Sequence, residues 1–79
     1  MADPVRLVEH MARALVDNPE AVSAVAEMRG QTLEIRLTVA PQDVGKIIGR
    51  HGRTITAMRS VLSAIGSAPA RRVTLEVEE

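Results

Sequence analysis

The sequence contains no cysteine, and not one of its 79 residues is aromatic. The first absence excludes disulfide scaffolds, thiolate zinc sites and cysteine nucleophiles together. The second removes the Phe, Tyr and Trp platforms on which many single-strand-binding sites stack bases. It also leaves the core to Ile, Leu, Val, Met and Ala, in a chain near the length at which a single core is marginally stable. No apolar run approaches the roughly 18 residues of a membrane-spanning helix. Arg6, Glu9, His10 and Arg13 interrupt any signal-peptide pattern, so the expectation is a cytoplasmic protein with no membrane contact. His10 and His51 are the only histidines and have no cysteine to join them, so no metal site is expected. Ser60, Ser63 and Ser67 have no matched base nearby in sequence. With no catalytic residue and no cofactor implied, an enzyme is not expected.

What is present reads as an ordinary folded domain: 46% of residues are hydrophobic and 25% charged. Residues 1–79 form one domain. The net charge of zero hides an uneven distribution. From Val44 to Leu75 the chain carries Lys46, Arg50, Arg53, Arg59, Arg71 and Arg72 and no acid, while all ten acids share the remainder with four arginines. A basic half of this kind suits an anionic partner, although any one of these arginines taken alone is an ordinary solvated residue.

Asp3-Pro4 is a helix start, an N-cap followed by proline at the first helical position. Val5, Val8, Ala12, Leu15 and Val16 recur at helical spacing until Asn18-Pro19 forces a stop, which predicts a helix over about 4–17. Val22 and Val25 between Pro19 and Gly30 predict a strand over 21–28, and Arg29-Gly30-Gln31 a tight turn. Leu33, Ile35, Leu37 and Val39 then alternate with Thr32, Glu34, Arg36 and Thr38, the pattern of a half-buried strand. Pro41 and Asp43 open a short helix through Val44, Ile47 and Ile48. Ile55, Met58, Leu62 and Ile65 step along a second helix toward Gly66. After an Ala68-Pro69 linker, Val73, Leu75 and Val77 alternate in a last strand. The expected core joins the strand residues to Val8, Leu15, Ile47, Ile55, Met58 and Leu62, with Met11, Met28 and Met58 as filler.

Between the two later helices lies Gly49-Arg50-His51-Gly52. The glycines can serve conformation alone, one stopping a helix and the other relieving a turn. The alternative is an anion grip: the next helix points its electropositive end at the loop, glycines admit a close backbone approach, and Arg50 and His51 project toward the ligand. Neither a Walker A loop nor a GxGxxG fingerprint is present. Ile47, Ile48 and Ile55 are the candidate apolar floor for bases, and Lys46 and Arg53 flank the loop with charge.

Ile48-Gly49-Arg50-His51-Gly52-Arg53-Thr54-Ile55 resembles the I-G-x-x-G-x-x-I signature of KH domains, whose GXXG loop clamps about four nucleotides of a single strand. Asp17-Asn18-Pro19-Glu20, Val39-Ala40-Pro41, Asp43-Val44-Gly45-Lys46 and Val73-Thr74-Leu75-Glu76 extend the resemblance to the small bacterial stand-alone KH proteins of the KhpA (YlqC) type. The resemblance implies an α+β fold of type II KH topology, α-β-β-α-α-β, with a three-stranded mixed sheet and the helices packed on one face. It implies contact with single-stranded RNA through Lys46, Ile47, Ile48, Gly49, Arg50, His51, Gly52, Arg53 and Ile55, in a post-transcriptional regulator or RNA chaperone. It also implies a homodimer, or a heterodimer with a larger KhpB/Jag-type KH protein. The alternative is a module whose main work is that pairing, with RNA contact secondary. His51 departs from the uncharged polar residue usual at its position and makes that position's contribution depend on pH.

Overall fold

In the computed structural model, which describes residues 3–65 and 72–79, the chain enters helix α1 (Pro4–Leu15) through the cap its sequence announces. Asp3 Oδ1 accepts from the amides of Val5 at 3.0 Å and Arg6 at 3.4 Å, a cap worth about 1 kcal/mol. The helix stops two residues short of the expected end. The amides of Asp17 and Asn18 donate to the Asp43 carboxylate, at 3.4 and 3.0 Å, which draws the chain out of the helix. Asn18 also precedes a proline, which disfavours helical backbone there. A single 3₁₀ turn over Pro19–Ala21 follows, so strand β1 begins at Ser23 rather than Ala21 and runs to Arg29.

Gly30, at φ +62°, and Gln31 make the turn into strand β2 (Thr32–Thr38), with Arg29 opposite Thr32 in an antiparallel register. Alternation along β2 decides its faces: Ile35 and Leu37, with Val39 just beyond, are buried, and Glu34 and Arg36 point away. Strand β3 (Arg72–Glu78) pairs with β2 in parallel, so β2 is central in a three-stranded mixed sheet of order β1-β2-β3. A parallel pair needs a crossover. Helices α2 (Val44–Ile48) and α3 (Arg53–Ile65) supply it, entered through a 3₁₀ turn at Pro41–Asp43. Gly66 and the Ala68-Pro69 linker lie outside the described residues.

The core joins the helix faces to the inner face of the sheet: Val8 and Ala12 of α1, Ile47 of α2, and Ile55, Met58 and Leu62 of α3 meet Ile35, Leu37, Val39 and Leu75. This is the expected α-β-β-α-α-β arrangement, with two corrections in the core. Leu15 is 41% exposed, because α1 ends there and the chain turns toward Asp43, so that Val16 packs on the core in its place. Met28 is 44% exposed: the half-buried Ala24 is followed on the same face by exposed Ala26 and Met28, so the helical cover thins toward the hairpin. Met58 is core filler as expected, and Met11 packs against it.

Candidate nucleic-acid interface

The loop is built on a buried carboxylate. Asp43 stands where it could cap α2, yet it makes no such bond and is 0% exposed. It accepts instead from the Asn18 amide and the Asn18 side-chain Nδ2, both at 3.0 Å, and from the Asp17 amide. Burial pushes its acidity toward the neutral form. The Asn18 side chain, the two amides and Lys46 outweigh that and hold it below the usual carboxylate value. One carboxylate thereby ties the exit of α1 to the entry of α2.

Lys46, one turn along α2, reaches Asp17 at 3.1 Å and Asp43 at 3.9 Å. The hydrogen bond and the charge of Asp17 raise its pKa above the ordinary lysine value. Folding therefore brings acid to a half of the chain that has none in sequence, and gives the exposed Lys46 ammonium carboxylate neighbours within the protein.

Helix α2 ends at Gly49, whose φ of 76° and ψ of 170° belong to a region essentially restricted to glycine. A Cβ there would also overlap the Thr54 side chain, 2.6 Å from its Cβ and 2.9 Å from the Thr54 amide nitrogen. Gly52 differs. Its φ is +70°, but a Cβ on it would meet nothing within 4 Å, so its bare face looks into open space. Between them, Arg50 and His51 form a 3₁₀ turn with Gly52, with His51 in the left-handed region at φ 56°, ψ 25°, which histidine tolerates better than most residues. The turn is closed by the Gly52 amide donating to the Gly49 carbonyl at 3.1 Å. Gly49 thus serves conformation and close packing, whereas Gly52 leaves the outer side of the loop clear.

Arg50, His51 and Arg53 are exposed around that clear side. The first turn of α3 carries no acid to neutralise its electropositive end. The expected apolar floor is only partly available. Ile48 is half-buried and offers surface, but Ile47 is 0% exposed and Ile55 6%. Both point from their helices into the core, where they support the loop from beneath instead of meeting a base.

Two contacts involve residues outside the expected set. Thr54 is the surface against which Gly49 packs. Arg59, which the sequence offers only as one charge among six, donates from Nη2 to the Leu75 carbonyl at 2.9 Å and bridges α3 to the edge strand. The partners in these contacts lie five and sixteen residues apart, and no local pattern marks either pair. Among the described residues, no group of three or more His, Asp or Glu could hold a metal ion, and no helix is long and apolar enough to cross a membrane.

A short helix, a Gly-X-X-Gly turn and a longer helix, crossing between the parallel strands of a three-stranded mixed sheet, define a KH domain of type II topology. The family described as KhpA/KhpB, KH domain, matches residues 5–77, and the chain belongs to it. Among its relatives, the RNA-binding protein KhpA of Halalkalibacterium halodurans is 48% identical over 71 residues, covering 90% of this chain and 93% of its own. That of Treponema pallidum is 49% identical over 72 residues, covering 90% and 89%. The KhpA of Mycobacterium tuberculosis is 45% identical over 69 residues, covering 85% and 84%. These names describe a binding role rather than a reaction. No solved structure gives a significant match.

Proposed function

We propose that this protein binds single-stranded RNA in the cytoplasm, gripping the backbone at Gly49-Arg50-His51-Gly52 and acting as a post-transcriptional regulator or RNA chaperone. The observation that carries the reading is the open face of Gly52, ringed by exposed Arg50, His51 and Arg53 at the acid-free start of α3. A phosphate can approach the backbone there and meet positive charge from both flanks. The names of the relatives support RNA as the polymer. With Ile48 as the exposed part of the floor and no aromatic residue, bases are held without stacking worth about 1–3 kcal/mol each, so affinity per domain is modest.

Replacing Arg50 and His51 together by Asp tests this directly. Both side chains are exposed and make no hydrogen bond or ion pair among the described residues, so the fold should tolerate the change. Affinity for single-stranded RNA should fall about tenfold or more while the thermal midpoint stays in place. Unchanged affinity would leave the loop a conformational turn and nothing more.

A separate observation favours pairing of protomers. An apolar groove of about 360 Å³ lies between α1 and α3, lined in part by Met11, Ala14 and Leu15 on one side and Ala57 and Val61 on the other. Leu15, Val61 and Ile65 are exposed, large and apolar beside or near it. We infer that a second copy of the chain covers this surface, setting the exposed apolar residues of α3 against the groove. Two joined loops would also compensate for the few nucleotides each can hold, raising avidity by roughly 10²–10⁴ where geometry permits. A larger KhpB/Jag-type partner seated on the same surface is the other outcome that pull-down and light scattering would distinguish.

A further inference from the structure

Lys46 is the only lysine in the sequence; every other basic side chain apart from the two histidines is an arginine. Its ammonium leans back toward the entry of α2, 3.1 Å from the Asp17 carboxylate and 3.9 Å from that of Asp43. One positive and two negative charges leave this corner net negative. Arg50, His51 and Arg53 stand otherwise: among the described residues no carboxylate lies within 4.0 Å of them. Of the cations around the glycine turn, Lys46 is the one already facing acid, and it sits only about 4.5 Å along the helix axis before Gly49.

The two carboxylates differ in what they hold. Asp43 is 0% exposed and is satisfied by the amides of Asp17 and Asn18 and by Asn18 Nδ2, so it keeps its partners when the ammonium moves away. Asp17 contributes its amide, not its carboxylate, to that knot. The Asp17 side chain is 74% exposed, and among the described residues its one charged partner is Lys46. An ion pair so far into water adds little stability. What it holds is an ammonium that is itself 43% exposed, with surface left for a phosphate. An ammonium on a flexible four-carbon stem can change partners by rotating its own bonds, with no planar fork to realign.

The geometry points to Asp17 as an affinity-setting residue of the RNA site, an internal competitor whose carboxylate occupies Lys46 until a backbone phosphate takes its place. A phosphate that approaches Lys46 in its resting position meets two like charges beside it, so the contact forms when the ammonium rotates from Asp17 toward the glycine turn. Binding then breaks one ion pair to make another, and the gain from Lys46 is the difference between the two. The inference rests on the proposed phosphate contact at the loop and adds to it a residue from the exit of α1 that limits its strength.

The test uses a short fluorescein-labelled single-stranded RNA of mixed sequence at near-physiological salt, where exposed charges more than about 8 Å apart are largely screened. Asp17→Asn keeps the amide that bonds Asp43 and should bind this RNA about two- to fivefold more tightly than wild type, with the thermal midpoint in place. In a Lys46→Gln background the same replacement should leave affinity within about 1.5-fold, since the competitor then has nothing to hold. A third measurement needs no mutant. Reductive methylation with isotope-labelled formaldehyde keeps the charge and gives Lys46 the chain's one lysine signal, which should shift when RNA saturates the protein. An affinity of Asp17→Asn equal to or below wild type, a gain of the same size without Lys46, or a lysine signal that RNA leaves in place overturns this inference alone. A wild-type protein that does not bind the RNA overturns the RNA reading and this inference together.

Discussion

Exchanging each loop glycine for alanine should separate the two roles the structure gives them. At Gly49, alanine would be forced into a φ/ψ region essentially limited to glycine, at a cost of about 1–3 kcal/mol. Its Cβ would press on Thr54 at 2.6 Å from a carbon and 2.9 Å from the backbone nitrogen, which adds overpacking of about 1–3 kcal/mol. The total of about 2–6 kcal/mol is a large part of the roughly 4–12 kcal/mol expected for a domain of this length. At Gly52 the φ is also positive but the space is open, so the cost is the left-handed conformation alone, about 1–2 kcal/mol. With about 4–8 °C of midpoint per kcal/mol in a domain this small, Gly49→Ala should melt about 10 °C or more below Gly52→Ala. Thermal denaturation followed by far-ultraviolet circular dichroism reads the difference. Adding Thr54→Ala to Gly49→Ala should restore little, because the Thr54 Cβ position and amide remain. Gly52→Ala should instead lose RNA affinity while still folded, since its new methyl stands on the open side. Midpoints within a few degrees of each other would refute the division of labour.

Three further outcomes follow from the same geometry. If three or four phosphates are contacted, the logarithm of RNA affinity should fall with the logarithm of salt concentration at a slope of about −2 to −3, and a flat response would remove the basic surface as the docking face. The Asp43 carboxylate is held below its ordinary value of 3.8, so its stabilisation is complete above that pH and is lost as the pH falls through the folded value. Wild type should therefore lose thermal stability below about pH 4, whereas Asp43→Asn should start lower at neutral pH and lose less on acidification; parallel curves for the two proteins would argue against Asp43 as the anchor. Val61→Glu places a charge in the apolar groove, so light scattering over a roughly hundredfold concentration range should show a wild-type dimer and a monomeric variant, and a wild type that is monomeric throughout would defeat self-pairing.

Much of the fold was legible because its signals are local. Alternation in Thr32–Val39 places β2, the Asp3-Pro4 cap starts α1, and the spacing of Ile55, Met58 and Leu62 gives α3 its buried stripe. The Gly49-Gly52 pair locates the turn for the same reason, since each adopts a positive φ that depends on its own residue type. Element ends were less legible. The end of α1 depends on Asp43, whose hydrogen bonds reach back 25 and 26 residues to Asn18 and Asp17.

The site divides along the same line. Residue type and spacing alone determined that a glycine turn with Arg50 and His51 stands between two helices in the chain's basic half. Only the tertiary structure decided the surroundings of its neighbours: Lys46 pairs with Asp17 and Asp43, Ile47 and Ile55 go to the core, and Ile48 keeps its surface. It likewise decided that Arg59 lies on the edge of β3, and that Gly49 is filled by Thr54 while Gly52 is open. Backbone conformation and periodicity are properties of a few consecutive residues. Burial, ion pairing and open space depend on segments that meet only after the chain has folded.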